Sequence, residues 1–315
     1  MNPILIIGKT PPPIGGVTIH VQRLLDNLER IGFQYKFIPL SLGHLIRNFF
    51  LVLMNKNIHL HSSSPLFKLF FSIFCFLTNK KLIVTNHGNL GRYGNFKDNL
   101  DLITIKLCYL PIVLNKISLE KAYKINKRSI LISAFLPPIQ SVKLSENIEK
   151  NILELKAKVS LLCCTNSSGF QLNSEGKDIY GILGLIEEFN KNSQFGLIVS
   201  DPSGIYKEKY NSISNPNIIF VNGDHSYYEV LKICDASIRN TSTDGDAISV
   251  KESLFLGKKT FATNIVDRPA GCITYSEFNL EVLFEKGNSF PMNSLNGFRQ
   301  ILEVYEKIGN EQRKM

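Results

Sequence analysis

The segment from Arg239 to Gly257, RNTSTDGDAISVKESLFLG, combines residue types that can bind a phosphorylated ligand. A short apolar run ends at Arg239, a polar loop with a glycine follows, and a helix is predicted to start near Ser249. Backbone amides at a helix N-terminus point outward, and the helix dipole favours an anion there. The candidate anion-binding amides are those of Ile248, Ser249 and Val250.

Two acidic side chains in this segment add a second kind of contact. Glu252 lies in the first turn of the predicted helix, where its carboxylate can accept two hydrogen bonds from a ribose diol. Asp244 lies eight positions earlier, on the loop, where it can meet a sugar. A structural interpretation is equally compatible with the pattern, because Ser249 as N-cap and Glu252 three positions later form a capping box.

Two further features lie in the first third of the chain. The glycine pair Gly15–Gly16 follows the first apolar run and would let the backbone approach a ligand. His87 follows a predicted strand, and the carboxyl end of a parallel strand faces the crevice where such sheets bind ligands; a hydrogen-bonded structural histidine is the alternative. His59 and His61 form an H-x-H pair, but no cysteine or carboxylate cluster completes it, so we expect no metal site.

The elements that would position these residues alternate between strand and helix. Short apolar runs predict strands over residues 3–8, 33–39, 58–61, 81–85, 110–115 and 129–132, and again over 159–165, 195–200, 218–221, 236–238 and 259–263. Helical spacing lies between them, as in residues 17–28, 178–190, 227–233 and 250–256. This alternation predicts two doubly wound α/β domains, over residues 1–145 and 146–315, joined by a proline-containing and then charged segment.

The composition is that of a globular protein, with 44% hydrophobic and 20% charged residues among 315. Six cysteines occur without a CxxC pair, which indicates free thiols in a reducing compartment. The N-terminus lacks a basic n-region and a long apolar h-region, so no signal peptide is expected.

The formal charge of +9 is compatible with nucleic acid, anionic lipid or anionic small molecules as partners. No zinc-finger spacing, basic helix or aromatic RNA-binding strand is present, so nucleic acid is not expected. Residues 44–54 and 66–77 are strongly apolar but shorter than the roughly 20 residues that span a bilayer. They are either core helices or helices whose apolar edges rest on an anionic membrane beside Arg47, Lys68, Lys80 and Lys81.

The segment around Asp244 and Glu252 resembles the Glu-x7-Glu signature of retaining glycosyltransferases of family 4 (glycosyl transferases group 1), with aspartate at the first acidic position. Residues 258–271 look like the continuation found in members that assemble bacterial surface polysaccharides. The resemblance implies a GT-B fold, in which two Rossmann-like domains face each other across a cleft. Aspartate is one methylene shorter than glutamate, so Asp244 departs from the signature at the position that would contact the donor sugar, whereas Glu252 matches the position that would contact ribose.

The resemblance also implies roles for the other candidates. Gly15 and Gly16 would match the loop that faces the donor phosphates and the acceptor, and His87 would match a histidine near the transferred sugar. Lys177 would neutralise the diphosphate. An arginine usual in the family a few residues earlier is missing, since residues 171–173 are Gln, Leu and Asn. The second positive charge would then come from Arg239 or Arg268.

Together these observations predict an enzyme that moves a sugar from a nucleotide-sugar donor to a lipid-linked saccharide in surface-polysaccharide (O-antigen or capsule) biosynthesis. Its catalytic residues would be His87 and Asp244. The nucleotide sugar is a co-substrate, and neither a cofactor nor a metal is expected. The enzyme would be cytoplasmic and peripheral on the inner face of the cell membrane. The alternatives are a nucleotide-sugar epimerase of the same fold and a catalytically silent homologue that binds a sugar nucleotide.

Overall fold

The chain folds into two α/β units in the computed structural model, which describes residues 3–91, 94–140, 142–173, 175–210, 215–244, 247–284, 292 and 295–311. The first unit comprises Met1–Ile139 together with Asn296–Met315, and the second comprises Gln140–Leu295. Each unit is built on its own six-stranded sheet. The doubly wound α/β prediction is confirmed.

The first unit contains a parallel sheet in the order β2-β1-β3-β4-β5-β6. Its strands are β1 (Ile4–Gly8), β2 (Tyr35–Pro39), β3 (Asn57–His61), β4 (Lys81–Asn86), β5 (Leu110–Val113) and β6 (Ile130–Leu131). Its helices are α1 (Gly16–Arg30), α2 (Leu42–Arg47), α3 (Phe49–Met54), α4 (Pro65–Leu77), α5 (Asn95–Leu107), α6 (Lys116–Ile125) and, near the end of the chain, α12 (Phe298–Glu311).

The second unit contains a parallel sheet in the order β12-β11-β10-β7-β8-β9. Its strands are β7 (Leu161–Asn166), β8 (Phe195–Ser200), β9 (Ile218–Val221), β10 (Ala236–Arg239), β11 (Lys259–Thr263) and β12 (Ile273–Tyr275). Its helices are α7 (Glu146–Lys156), α8 (Ile182–Asn190), α9 (Ile205–Lys209), α10 (Tyr227–Ile233) and α11 (Ile248–Phe255), with a 3-10 turn at Leu280–Phe284.

The central strands are largely buried because helices cover both faces of each sheet. All five residues of β1 and all six residues of β8 are buried. Chain order reverses between β1 and β3 in the first sheet and between β7 and β10 in the second. Such a switch point opens a crevice at the carboxyl ends of the strands, where doubly wound proteins bind ligands. The candidate residues therefore have to be placed against these two edges.

The end of the chain returns to the first unit, which differs from the predicted domain of residues 146–315. Helix α12 buries Phe298, Ile301, Tyr305 and Ile308 against the core that contains β1 and α1. This i, i+3, i+7, i+10 spacing places all four side chains on one helix face.

Helices α2, α3 and α4 carry both core and exposed apolar residues, so the core-helix interpretation describes only part of each stretch, and contact with a membrane stays a prediction. Val52, Phe71 and Cys75 are buried in a core shared with β1, β3 and β4. The large exposed side chains are Leu42, Ile46, Phe49, Phe50, Met54, Leu66, Phe70, Ile73, Phe76 and Leu77. No helix within the described residues has the length and apolar character needed to cross a bilayer.

Lys68 is not one of the surface charges beside these helices. Its ammonium lies 2.7 Å from the Asp101 carboxylate and donates to Asn86 at 2.9 Å, with both charged side chains buried. Burial of a charge requires such pairing. The expectation that Lys68 faces a membrane is therefore wrong, whereas Arg47 is exposed.

Candidate functional site

The carboxyl edge of the second sheet brings two loops together at its switch point. One loop follows β7 and leads to α8; the other follows β10 and leads to α11. The Ser242 amide donates to the Ile179 carbonyl at 2.8 Å, and the Thr241 hydroxyl donates to the same oxygen at 2.9 Å. The Asn240 side-chain amide donates to the Gly181 carbonyl at 3.0 Å. The loops therefore form one hydrogen-bonded unit.

Gly181 is needed for this close contact. Its φ of +59° lies in the left-handed region, and a Cβ built on it would lie 2.3 Å from the Asn240 carbonyl oxygen. Only glycine accepts both the conformation and the approach. The close packing of the two loops thus explains why the residue directly before α8 is a glycine.

Asp244 lies between two guanidinium groups. Arg268 donates from Nη1 to Asp244 Oδ2 at 2.8 Å, and Arg239 donates from Nε to the same oxygen at 3.3 Å and from Nη2 to Oδ1 at 3.4 Å. All three side chains are largely buried. Two cations and one anion leave a net positive charge at this edge, which suits an anionic ligand.

The charge pairing outweighs the effect of burial on Asp244. Burial by itself would raise the pKa of this carboxyl, but the positive charges of Arg239 and Arg268 and their hydrogen bonds hold the pKa below its ordinary value. For Arg239, burial acts to lower the pKa, and the Asp244 charge more than compensates, so the pKa is raised. Asp244 and Arg239 are therefore both charged at neutral pH.

The two arginines are anchored from several strand ends. The Arg239 guanidinium lies 5.2 Å from the centre of the Tyr180 ring and donates to the Asn166 carbonyl, at the end of β7, at 3.4 Å. Arg268 donates from Nε to the Thr263 carbonyl, at the end of β11, at 3.0 Å. The sequence suggested Arg239 and Arg268 only as substitutes for a missing arginine, and did not identify Tyr180.

The capping-box interpretation of Ser249 and Glu252 is wrong. Helix α11 begins at Ile248 with Ala247 as N-cap, and the cap makes no side-chain hydrogen bond. Glu252 is consequently two positions further into the helix than predicted, and it is only 4% exposed. The candidate amides of Ile248, Ser249 and Val250 are the first three of the helix; Gly245 and Asp246 of the preceding loop lie outside the described residues.

Glu252 lies within electrostatic reach of the start of α10. Burial is the main reason that the pKa of Tyr227 is raised well above its ordinary value, and the charge of Glu252 adds to the rise. The Tyr227 hydroxyl lies 3.5 Å from the Cys164 sulfur on β7. Sequence spacing alone does not indicate that Glu252 and Tyr227 are neighbours.

Lys177 is on the surface of the second unit. Its side chain is 76% exposed, and its ammonium lies 3.1 Å from the Glu175 carboxylate. The predicted helix start at Asp178 is wrong, because α8 begins at Ile182. Asp178 instead caps that helix: one carboxylate oxygen accepts from the Ile182 and Leu183 amides at 2.8 and 3.2 Å.

Gly15 and Gly16 lie in the first unit, at the beginning of α1. Gly15 is the N-cap, in an extended conformation, and Gly16 is the first helical residue. The Gly15 amide donates to the Thr18 hydroxyl at 3.0 Å. The expectation that both glycines present free amides to a ligand therefore fails for Gly15, whose amide is used in capping.

His87 directly follows β4 in the first unit and is half-buried. Its Nε2 lies 3.1 Å from Nδ1 of His61, the last residue of β3. His59, two positions before His61, instead contacts the Tyr305 hydroxyl at 2.5 Å and the Thr85 hydroxyl at 2.8 Å. His20 on α1 joins the group, with its ring centre 5.1 Å from that of His87. Sequence spacing does not reveal this fourth member.

No protein-family profile and no curated protein matches the chain. Several solved structures share its fold. HepE from Anabaena, in complex with UDP and glucose, gives a TM-score of 0.65 at 12% identity over 100% of both chains. Sucrose-phosphate synthase from Thermosynechococcus elongatus gives 0.65 at 13% identity over 96% of this chain and 90% of that one. WaaG, a glycosyltransferase involved in lipopolysaccharide biosynthesis, gives 0.57 at 10% identity over 83% and 81%. The chain thus has the α/β fold of GT-B glycosyltransferases.

Proposed function

We propose that this chain is a glycosyltransferase that takes a sugar from a nucleotide-sugar donor bound to its second unit. The observation that carries the proposal is the buried Arg239–Asp244–Arg268 cluster at the switch point of the second sheet, with Glu252 on the helix that follows. The fold supports it, because solved structures of the same fold include glycosyltransferases, one of them in complex with UDP-glucose.

The nucleotide-sugar donor would make two kinds of contact at the carboxyl edge of the second sheet, one through its ribose and one through its diphosphate. The ribose diol would be held by the Glu252 carboxylate, and the diphosphate by the first amides of α11 and the positive charge of Arg239 and Arg268. Lys177, on an exposed loop, would close on the diphosphate by exchanging its ion pair with Glu175 for one with phosphate. An exposed ion pair of this kind stabilises the fold by only about 0–1 kcal/mol, so breaking it costs little free energy.

The same groups would assist the departure of the nucleotide. Negative charge develops on the leaving diphosphate as the bond to the sugar breaks, and preorganised cations and amides stabilise that charge without reorganisation. In this proposal the arginines, Lys177 and the α11 dipole take this charge in place of a metal. Retention of the anomeric configuration follows from the resemblance to family 4.

Asp244 is proposed to act by positioning rather than by direct reaction with the sugar. Both carboxylate oxygens are occupied by guanidinium groups in the structure. A carboxylate held in this way fixes the two arginines that would meet the diphosphate. His87, in the first unit, remains the proposed residue beside the transferred sugar, and the glycine pair Gly15–Gly16 the proposed loop facing it.

The acceptor is proposed to be a lipid-linked saccharide that reaches the first unit from the inner face of the cell membrane. The support is the row of exposed apolar side chains on α2, α3 and α4, together with the net charge of +9. Apolar side chains beside basic ones favour an anionic bilayer surface. On the resemblance to family 4, we propose that this transferase acts in the assembly of surface polysaccharide.

A panel of uridine and guanosine diphosphate sugars tests the donor site by protection against thermal unfolding. A ligand that binds only the native state stabilises it by about 2.7 kcal/mol at a hundred times its Kd. We expect one nucleotide class to raise Tm by several degrees, and Glu252→Gln to abolish the rise. Glu187→Gln, an exposed glutamate on α8, is the matched control and should keep it.

Equal protection of the wild type and Glu252→Gln would remove Glu252 from the donor site. Absence of protection by every nucleotide sugar would contradict the proposed function. Protection without sugar transfer to any lipid-linked acceptor would instead identify a silent binding homologue, and donor turnover without acceptor would identify an epimerase.

A further inference from the structure

Three histidines from three different elements converge at the carboxyl edge of the first sheet. His61 ends β3, His87 follows β4, and His20 lies on α1, which follows β1. One ligand nitrogen from each lies within 4.8 Å of the other two. The ring centres are 5.1–5.3 Å apart in all three pairs. The three imidazoles therefore surround a common point.

The separations are close to those of a coordination site. Two imidazole nitrogens bound to one tetrahedral zinc ion at 2.0–2.1 Å lie about 3.3 Å apart. His61 Nδ1 and His87 Nε2 are already 3.1 Å apart. The His20 ligand nitrogen lies within 4.8 Å of the other two, so it would have to move closer by no more than about 1.5 Å.

The hydrogen bonds around the group favour metal-binding tautomers. His20 Nδ1 lies 2.7 Å from the Ala134 carbonyl, which can only accept, so Nδ1 carries the proton and Nε2 has a lone pair. A ring nitrogen held by a carbonyl is the usual support of a metal-ligating histidine.

His61 is also shielded from solvent, since its side chain is buried and only 1% exposed.

We propose that His20, His61 and His87 form a binding site for one divalent transition-metal ion. Imidazole ligands suit zinc, copper, nickel and iron, whereas magnesium and calcium prefer oxygen ligands. Three protein ligands leave a fourth position for water or another ligand. His59 is not a ligand, since both its ring nitrogens are engaged by Thr85 and Tyr305. The sequence predicts no metal site because it shows only the H-x-H pair of His59 and His61. Two of the three proposed ligands, His20 and His87, lie outside that pair.

The test uses the full chain stripped of metal by a chelator and titrated with Co²⁺, a coloured substitute for Zn²⁺. We expect one Co²⁺ per chain, with the visible absorption of a four-coordinate ion, and displacement by Zn²⁺. X-ray absorption of the zinc-loaded wild type should show three imidazole ligands. This measurement is independent of any variant and of transferase activity.

The variants His20→Gln, His61→Gln and His87→Gln should each weaken Zn²⁺ binding at least about tenfold, since even second-sphere changes cost 10–100-fold. His44→Gln is the control, because His44 is exposed on α2, outside the cluster. Circular dichroism reports whether each variant is folded. A zinc-loaded wild type without three imidazole ligands, or no stoichiometric binding at all, would overturn the proposal. Unchanged affinity in folded variants would do the same.

Discussion

At the scale of single residues, the second unit contains a buried cluster of three charged side chains. Asp244 accepts from Arg239 and Arg268, and the three side chains are shielded from solvent. Removing one partner of a buried ion pair is costly because the other charge is left uncompensated. Asp244 therefore links the stability of the fold to the positive charge proposed to bind the donor.

We expect Asp244→Asn to destabilise the protein by about 3 kcal/mol at pH 7, since it leaves two buried guanidiniums without their carboxylate. The pKa of Asp244 is lower in the folded state than in the unfolded state. Ionised Asp244 thus stabilises the fold above its unfolded pKa, and this contribution is lost as the pH falls through the folded pKa. Denaturant unfolding at pH 7 and at about pH 3 measures the difference between wild type and variant, which should shrink at low pH.

The loop residue Asp224 supplies the control, because Asp224→Asn removes the charge of an exposed carboxylate. It should change stability little at either pH. A cost of Asp244→Asn that is small at pH 7, or that is equal at both pH values, would contradict the charge-cluster account.

Spacing along the sequence identifies some candidate site residues, but not those that come together only through tertiary packing. Asp244 and Glu252 are visible from their spacing, and the structure places both near the switch point. His20 is not visible as a site residue, because it lies within an amphipathic helix and joins His61 and His87 only when α1 packs on the sheet. The second arginine contact of Asp244 likewise depends on a loop that follows β11.

At the scale of elements, strands were predicted better than helix ends. The boundaries of β8, β9 and β11 match the predicted apolar runs, since a parallel strand that is covered on both faces reads as a nearly continuous run of apolar residues. The start of α8 was predicted four residues too early, because Asp178 caps the helix from a distance. The short strand β12 was missed, having only three residues.

Helices α3 and α4 form the proposed membrane-contacting face, and this is testable with anionic vesicles. Phe50 and Phe70 are 77% and 64% exposed. Burying one such side chain in an apolar environment is worth about 1.5–3 kcal/mol. The double variant Phe50→Ser/Phe70→Ser should therefore sediment with phosphatidylserine vesicles with at least about tenfold lower affinity than the wild type.

Leu153→Ser/Leu172→Ser, which changes two exposed apolar residues of the second unit, is the matched control and should bind as the wild type does. Binding of the wild type should also weaken with added salt, since the charge of +9 contributes. Vesicle binding that survives the Phe50/Phe70 change would show that this face does not contact the membrane.

At the scale of the whole molecule, the two sheets have related but different strand orders. The first switches between β1 and β3 and the second between β7 and β10. The alternation of strands and helices predicts two such sheets from sequence alone. The return of α12 to the first unit is harder to predict, because its apolar face fits either core; the buried hydrogen bond between Tyr305 and His59 shows which core it joins.

The most direct test of the central claim is to locate a bound nucleotide along the chain. A photoreactive nucleoside diphosphate of the class that protects the protein is crosslinked, and labelled peptides are identified by mass spectrometry. We expect label in residues 166–181 and 239–252 of the second unit, competed by the unmodified nucleotide sugar. Label confined to other parts of the second unit, or to the first unit alone, would contradict the donor site and with it the proposed transferase.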